Sequence, residues 1–233
     1  MNQYAREVGT VYVTGGAGGL GAAVVEAVAA AGGRPAVLDR VAPTVPDVPF
    51  VEVDLSDWDA ATAAVAALVE QVGPPSAVVT AAGTDACGPL LEIDPADWRR
   101  VIDVNLLGTV AVVRACLPHL ENTRGTVVTV SSTLGLRGAD AATAYSASKF
   151  AIRGFSQALA TEYAGRVGVT CLIPGGMRTA FFDGREERFK PGPDQDLNDP
   201  RSTAATVLMA LQQPEGSEIR ELVVMASGEP SWP

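Results

Sequence analysis

Lysine is almost missing from this chain: 233 residues carry fifteen arginines but only two lysines, Lys149 and Lys190. Histidine is scarcer still. His119 stands alone, and no Gly-x-Ser-x-Gly elbow is present, so a Ser-His-Asp hydrolase would have to rest on that one residue. Cys87, Cys116 and Cys171 are odd in number, far apart and without a C-x-x-C pattern, which excludes a disulfide framework or a zinc site; buried small hydrophobes are their expected role, and no metal is expected. A basic excess is also missing. The formal charge of -10 opposes a nucleic-acid backbone or an anionic membrane as partner. The first residues, Met1 to Glu7, hold no apolar h-region, and no later stretch approaches ~18 uninterrupted apolar residues. The expectation is a soluble, cytoplasmic protein of one domain spanning residues 1–233, since no Pro/Gly/Ser linker divides it.

What is present is an alternation. Short valine-rich runs recur at Thr10–Thr14, Ala36–Asp39, Phe50–Val53, Ala77–Thr80, Thr126–Ser131, Val167–Ile173 and Leu222–Met225. They are continuous rather than alternating, the pattern of strands buried on both faces. Alanine-rich stretches of helical period lie between them at Leu20–Ala31, Trp58–Val72, Pro95–Leu120 and Tyr145–Ala164. Ser56 or Asp57 can cap the second helix, Asp94 precedes a proline at the first helical position, and Gly32-Gly33 ends the first helix. Strand and helix in turn predict an α/β fold with a doubly wound parallel sheet in three α/β/α layers. The segment from Ala180 to Pro200, with Phe181, Phe182 and Phe189 among charges, Gly and Pro, has no period and is read as a substrate-side loop.

The first strand runs into Thr14-Gly15-Gly16-Ala17-Gly18-Gly19-Leu20-Gly21, after which a helix begins. That placement suits a dinucleotide: amides at a helix N-terminus face the pyrophosphate, and no Cβ blocks its approach. Asp39 follows Gly21 by eighteen residues at the end of the second strand, where a carboxylate accepts hydrogen bonds from ribose hydroxyls. A 2'-phosphate there would be repelled unless Arg40 or Arg34 compensates, so NAD is expected and NADP is disfavoured. Further along, Tyr145 and Lys149 stand four apart, a spacing that brings a phenol and an ammonium together on one helix face, and Ser132 precedes them by thirteen residues.

With these motifs in this order the chain resembles the short-chain dehydrogenase/reductase family in its compact form. The resemblance covers nearly the whole length and implies a Rossmann fold. The family's Thr-Gly-x-x-x-Gly-x-Gly is matched by Thr14, Gly15, Gly19 and Gly21, with Gly18 and Leu20 inside the loop. Asp54-Leu55 matches an aspartate that implies contact with the adenine. Pro174-Gly175-Gly176-Met177-Arg178-Thr179 matches the segment that implies Met177 and Thr179 beside the nicotinamide carboxamide. Asn105 matches a catalytic asparagine, Ser132 the family's serine, and Tyr145 and Lys149 its acid/base pair, both implied to contact the cofactor, with Lys149 orienting the nicotinamide ribose. One departure is Thr80-Ala81-Ala82-Gly83 in place of Asn-Asn-Ala-Gly, which implies weaker local hydrogen bonding at the cofactor's ribose side.

The resemblance implies an NAD(P)-dependent oxidoreductase acting on secondary alcohols or ketones. Tyr145 is expected to be the acid/base, with its pKa lowered by Lys149 and by the nicotinamide charge, since an ordinary phenol is a poor base at neutral pH. Ser132 would hold the substrate oxygen, and Asn105 would distort or hydrate its helix so that a water connects Lys149 to solvent. Leu134, Leu136, Phe181 and Phe182 suggest an apolar substrate, with Arg137, Asp140 and Arg178 as sources of polar selectivity. A homodimer or homotetramer is expected through the helices at Pro95–Leu120 and Tyr145–Ala164, with the tail Pro230-Ser231-Trp232-Pro233 packed on a neighbour or on its own sheet. The rival is a dinucleotide-binding sensor on the same fold without turnover.

Overall fold

The computed structural model describes residues 5–229; the tail Pro230–Pro233 lies outside them. Seven strands form one sheet: β1 (Thr10–Thr14), β2 (Arg34–Asp39), β3 (Phe50–Glu52), β4 (Ala77–Thr80), β5 (Thr126–Val130), β6 (Gly168–Pro174) and β7 (Glu221–Val224). Their spatial order is β3-β2-β1-β4-β5-β6-β7 and every pairing is parallel. The order reverses between β1 and β4, where Thr14 lies level with Thr80. In an open parallel sheet a crevice forms at that reversal, beyond the strands' carboxyl ends.

The helices α1 (Gly19–Ala30), α2 (Trp58–Val72), α3 (Pro95–Ile102), α4 (Thr109–Thr123), α5 (Thr143–Glu162) and α6 (Pro200–Leu211) cover the two faces. Side chains alternate along each strand, so β1 feeds two cores. Tyr12 packs with Leu68, Val112 and Leu120 on one side; Val11 and Val13 pack with Val24, Val28 and Val207 on the other. All of these are at most 1% exposed, and each such side chain contributes roughly 1.5–3 kcal/mol by leaving water.

Local signals set most boundaries. Asp57 accepts from the amides of Asp59 and Ala60 to start α2, Asp94 accepts from Ala96 to start α3, and Gly32 (φ +81°) ends α1. Two features matter for the site. The helix expected from Pro95 carries a π-helical segment, Asp103–Gly108, with Asn105 in it, at the residue where a distortion was expected. The helix α6, which the periodicity did not single out, begins where the irregular segment ends, and Asp199 caps it ahead of Pro200. Among the described residues only the run Pro95–Thr123 is long and apolar enough to cross a membrane, and half of its most apolar stretch is buried inside the protein.

Candidate active site

A cavity of about 720 Å³ runs along the carboxyl ends of the strands from the glycine loop to the irregular segment after β6. At its first end, Gly15 (φ +69°) turns the chain and donates to the Leu38 carbonyl at 3.0 Å. A Cβ on Gly21 would lie 2.0 Å from the Gly15 oxygen, so α1 can start this close to β1 only with glycine there. Gly18 caps α1 without any side-chain hydrogen bond, and nothing lies within 4 Å of where its Cβ would be. The first-turn amides of α1 therefore open on the cavity with no side chain over them, which fits a pyrophosphate.

Asp39 sits beside this loop. Its Oδ2 accepts from the Ala17 amide at 2.9 Å and its Oδ1 from the Arg40 amide at 2.6 Å, so the carboxylate is fixed at the cavity rim. Arg40 lines the same rim, but Arg34 stands at the opposite end of β2, donating to Thr10 Oγ1 at 2.8 Å. Arg34 is thus no counter-ion for a phosphate in the cavity. Asp54 and Leu55 line the next stretch. The Asp54 carboxylate is committed to Ser56 and, at 2.9 Å, to Arg100; the Ser56 backbone amide, with Arg100 and the Ser56 hydroxyl helping, holds its pKa down to about 2.

Ala81, Ala82 and Gly83 also line the cavity, and beside them the Thr80 hydroxyl is buried without a hydrogen-bond partner. The loop is held from elsewhere. Ala82 donates to Thr14 Oγ1 at 3.1 Å, and Asn105 grips Thr84 twice, accepting from its amide at 2.8 Å and donating to its carbonyl at 2.9 Å. Asn105 Nδ2 also donates to Ser148 Oγ at 3.0 Å, which in turn donates to the Tyr145 carbonyl at 2.7 Å. The π segment places Asn105 in this buried position, tying the loop after β4 to α5.

At the far end, β5 and α5 bring Ser132, Tyr145 and Lys149 together. The two serines part company: Ser131 Oγ donates to the Lys149 carbonyl at 2.8 Å and is structural, whereas Ser132, whose Oγ accepts from the Leu134 amide at 3.1 Å, lines the cavity with Tyr145 and pulls the phenol's pKa down. Lys149 Nζ donates to the Val130 carbonyl at 2.8 Å and lies 5.4 Å from the centroid of the Tyr145 ring. Burial dominates both titrations in the protein alone. It pushes Tyr145 up to about 12, against the pull of Ser132, and brings Lys149 down to about 8. In the protein alone the phenol is raised, not lowered as expected, because burial outweighs every lowering influence on it.

The segment after β6 closes the cavity. Pro174, Gly175, Met177 and Thr179 line it, and Thr179 caps a short turn, Ala180–Phe182. The base of the segment is sewn shut, Arg178 donating to the Asn198 carbonyl and Asn198 to that of Gly176, both at 2.9 Å. Phe181 packs on Tyr145 with ring centroids 5.5 Å apart and meets Phe182 edge-on. Leu134 lines the cavity, but Leu136, Arg137, Asp140 and Arg178 do not. Sequence reasoning missed Arg185 and Glu229. Glu229 accepts from the Gly176 amide at 3.2 Å, and no pattern in the chain marked either residue.

A parallel doubly wound sheet with an uncapped glycine entrance at its reversal, and a polar Ser-Tyr-Lys wall beyond, defines the class of dinucleotide-dependent oxidoreductases. Comparison with known proteins agrees. The family model for short chain dehydrogenases matches residues 9–189. The chain is 34% identical over 181 residues to the 3-alpha-(or 20-beta)-hydroxysteroid dehydrogenase of Mycobacterium tuberculosis, covering 73% of this chain and 70% of that one. It is 30% identical over 141 residues to trans-4-hydroxycyclohexanecarboxylate dehydrogenase of Sinomonas cyclohexanicum, spanning 60% of this chain and 54% of that protein. The fold is shared with an alcohol dehydrogenase from the archaeon Thermococcus sibiricus complexed with 5-hydroxy-NADP, at a TM-score of 0.84, 24% identity, and coverage of 95% and 98% of the two chains. The chain belongs to the short-chain dehydrogenase/reductase family and is an oxidoreductase acting on CH–OH and C=O groups with NAD(P).

Proposed function

We propose that this protein interconverts a secondary alcohol and a ketone with NAD(H), using Tyr145 as acid/base, Lys149 and Ser132 as its partners and Asn105 as the residue that sets the loop beside them. The observation that carries the reading is the continuity of one cavity from the uncapped start of α1 to the wall formed by Ser132, Tyr145 and Lys149. Bound NADH supplies the hydride from its nicotinamide C4. The protein does the rest. In reduction, the Tyr145 hydroxyl donates a proton to the forming alkoxide, a role suited to a phenol that burial keeps protonated. Ser132 Oγ holds the substrate oxygen and stabilises the charge that develops on it. Lys149 bears a positive charge behind the ring, stabilising the phenolate left after proton transfer. Asn105, buried against Thr84 and Ser148, keeps the loop at Gly83 in place over Lys149.

The preference for NAD over NADP rests on Asp39, whose fixed carboxylate would face a 2'-phosphate at close range, with Arg40 on the same rim and Arg100 committed to Asp54. The expected result is kcat/KM at least about tenfold higher with NADH than with NADPH; a clear NADPH preference overturns the assignment. The names of the two relatives above point to a steroid and to a cyclohexane acid, so kinship does not choose the substrate. For assembly, Leu107 beside α4 and Phe150 on α5 are 43% and 46% exposed, which supports pairing through these helices. Light scattering at micromolar concentration is expected to give a dimer or tetramer, and a monomer refutes it. The acidic charge supports a cytoplasmic enzyme without nucleic-acid or membrane partners.

A further inference from the structure

The irregular segment carries three cations near the substrate end of the cavity, and each is already paired. Lys190 is 2.9 Å from Glu187, Arg188 is 2.9 Å from Glu186, and Arg185 is 2.6 Å from Asp85 on the loop after β4. The last pair differs from the others in being buried, with side chains 17% and 6% exposed, whereas Glu187 and Glu186 are 88% and 68% exposed. Arg185 is also held at the Phe189 carbonyl, 3.3 Å away, and its guanidinium carbon lies 5.2 Å and 4.6 Å from the rings of Phe181 and Phe182. Its Nε is sealed from solvent without a partner, and Asp85 Oδ1 meets no donor beyond the backbone of its neighbour Ala86. A guanidinium lining a cavity next to a reactive centre is ordinarily a carboxylate receptor, because its planar fork matches two oxygens. Here that fork already holds one.

We propose that Asp85 is a specificity-determining residue: by occupying Arg185, it restricts the cavity to uncharged ketones and alcohols and excludes substrates bearing a carboxylate at this end. The inference rests on the reading of the cavity as a ketone reductase site. A second carboxylate in the cavity would reach Arg185 with the Asp85 charge behind it, in a desolvated aromatic setting where like charges repel most strongly, and would gain nothing from a neutralised arginine. Removing the Asp85 charge reverses the balance. It leaves a buried guanidinium without its counter-ion, and a substrate carboxylate becomes the anion that restores the pair.

The test uses a matched pair differing by one charge, 4-acetylbenzoate and its methyl ester, offered with NADH to the full-length protein. Wild type is expected to favour the ester in kcat/KM, and Asp85→Asn to raise the acid-to-ester ratio by about tenfold or more. Arg185→Leu, which strands the Asp85 carboxylate, is expected to lower that ratio below wild type, and adding it to Asp85→Asn cancels the gain. Wild-type preference for the acid, or an unchanged ratio in a folded Asp85→Asn protein, overturns the proposal. Should NADH bind while neither compound is reduced, the reductase reading is what suffers. Calorimetric titration of the same pair into the NADH complex then reads the charge selectivity directly, with the ester expected to bind more tightly to wild type.

Discussion

Replacing Tyr145 with phenylalanine lowers kcat for ketone reduction by roughly a thousandfold, within the range that general acid–base groups supply, while NADH binding persists. The phenol lines the cavity with Ser132, and the ring itself packs against Phe181 and the Lys149 side chain. Phenylalanine keeps the ring and its packing, so the fold and the glycine loop at the start of α1 are untouched. The comparison is made by single-turnover reduction alongside an NADH binding titration. Residual turnover within tenfold of wild type would show that another group donates the proton. The pH dependence has a definite sign. With the phenol near 12 in the protein alone, reduction draws on the protonated form and holds through neutral pH, whereas oxidation needs the phenolate and rises toward alkaline pH.

Lys149→Met has the second largest expected effect, and it separates catalysis from stability. Activity falls about a hundredfold or more, because the phenolate loses the cation behind its ring. Stability moves the other way. Burial lowers the lysine from 10.5 to about 8, so carrying this charge at pH 7 costs the fold on the order of 3 kcal/mol, offset in part by the hydrogen bond to the Val130 carbonyl. An apolar chain of similar length removes the cost, and the variant is expected to be about 1–2 kcal/mol more stable at pH 7. The sign with pH follows from linkage: the penalty is complete below pH 8 and is lost as pH rises from about 8 through 10.5, because the folded protein releases the proton first. Denaturant melts at pH 7 and pH 10 check this. A stability gap that widens with pH, or a variant markedly less stable at pH 7, contradicts the account of a buried, strained charge.

Much of this was legible in the residues because the parallel sheet writes a plain signature. Seven valine-rich runs gave seven strands, each within two residues at either end; the inner five are buried on both faces and so apolar throughout, whereas the edge strands β3 and β7, expected to be buried too, are half-exposed because each lacks a neighbour on one side. The glycine loop could be placed because a Cβ at position 21 has no room beside Gly15, so the constraint is local. Other features depend on distant partners. The turn of the helix at Asn105 comes from an amide that must reach Thr84 and Ser148, residues 21 and 43 positions away, and helical periodicity carries no trace of that. Arg185 and Asp85 are 100 residues apart, and nothing about either alone marks a buried pair. The helix α6 was within reach: Asp199-Pro200 repeats the cap-and-proline start seen at Asp94-Pro95, but its apolar face is short and follows a run of polar residues.

The central claim is that hydride passes between a nicotinamide and a carbinol carbon in the cavity beside Tyr145. Reduction of a panel of neutral ketones by C4-deuterated NADH, with the products read by NMR, tests it most directly. Deuterium on the carbinol carbon of at least one product, lost in the Tyr145→Phe protein, is the predicted result. Tight NADH binding with no deuterium in any product would contradict it and make this chain a dinucleotide-binding protein that does not turn over.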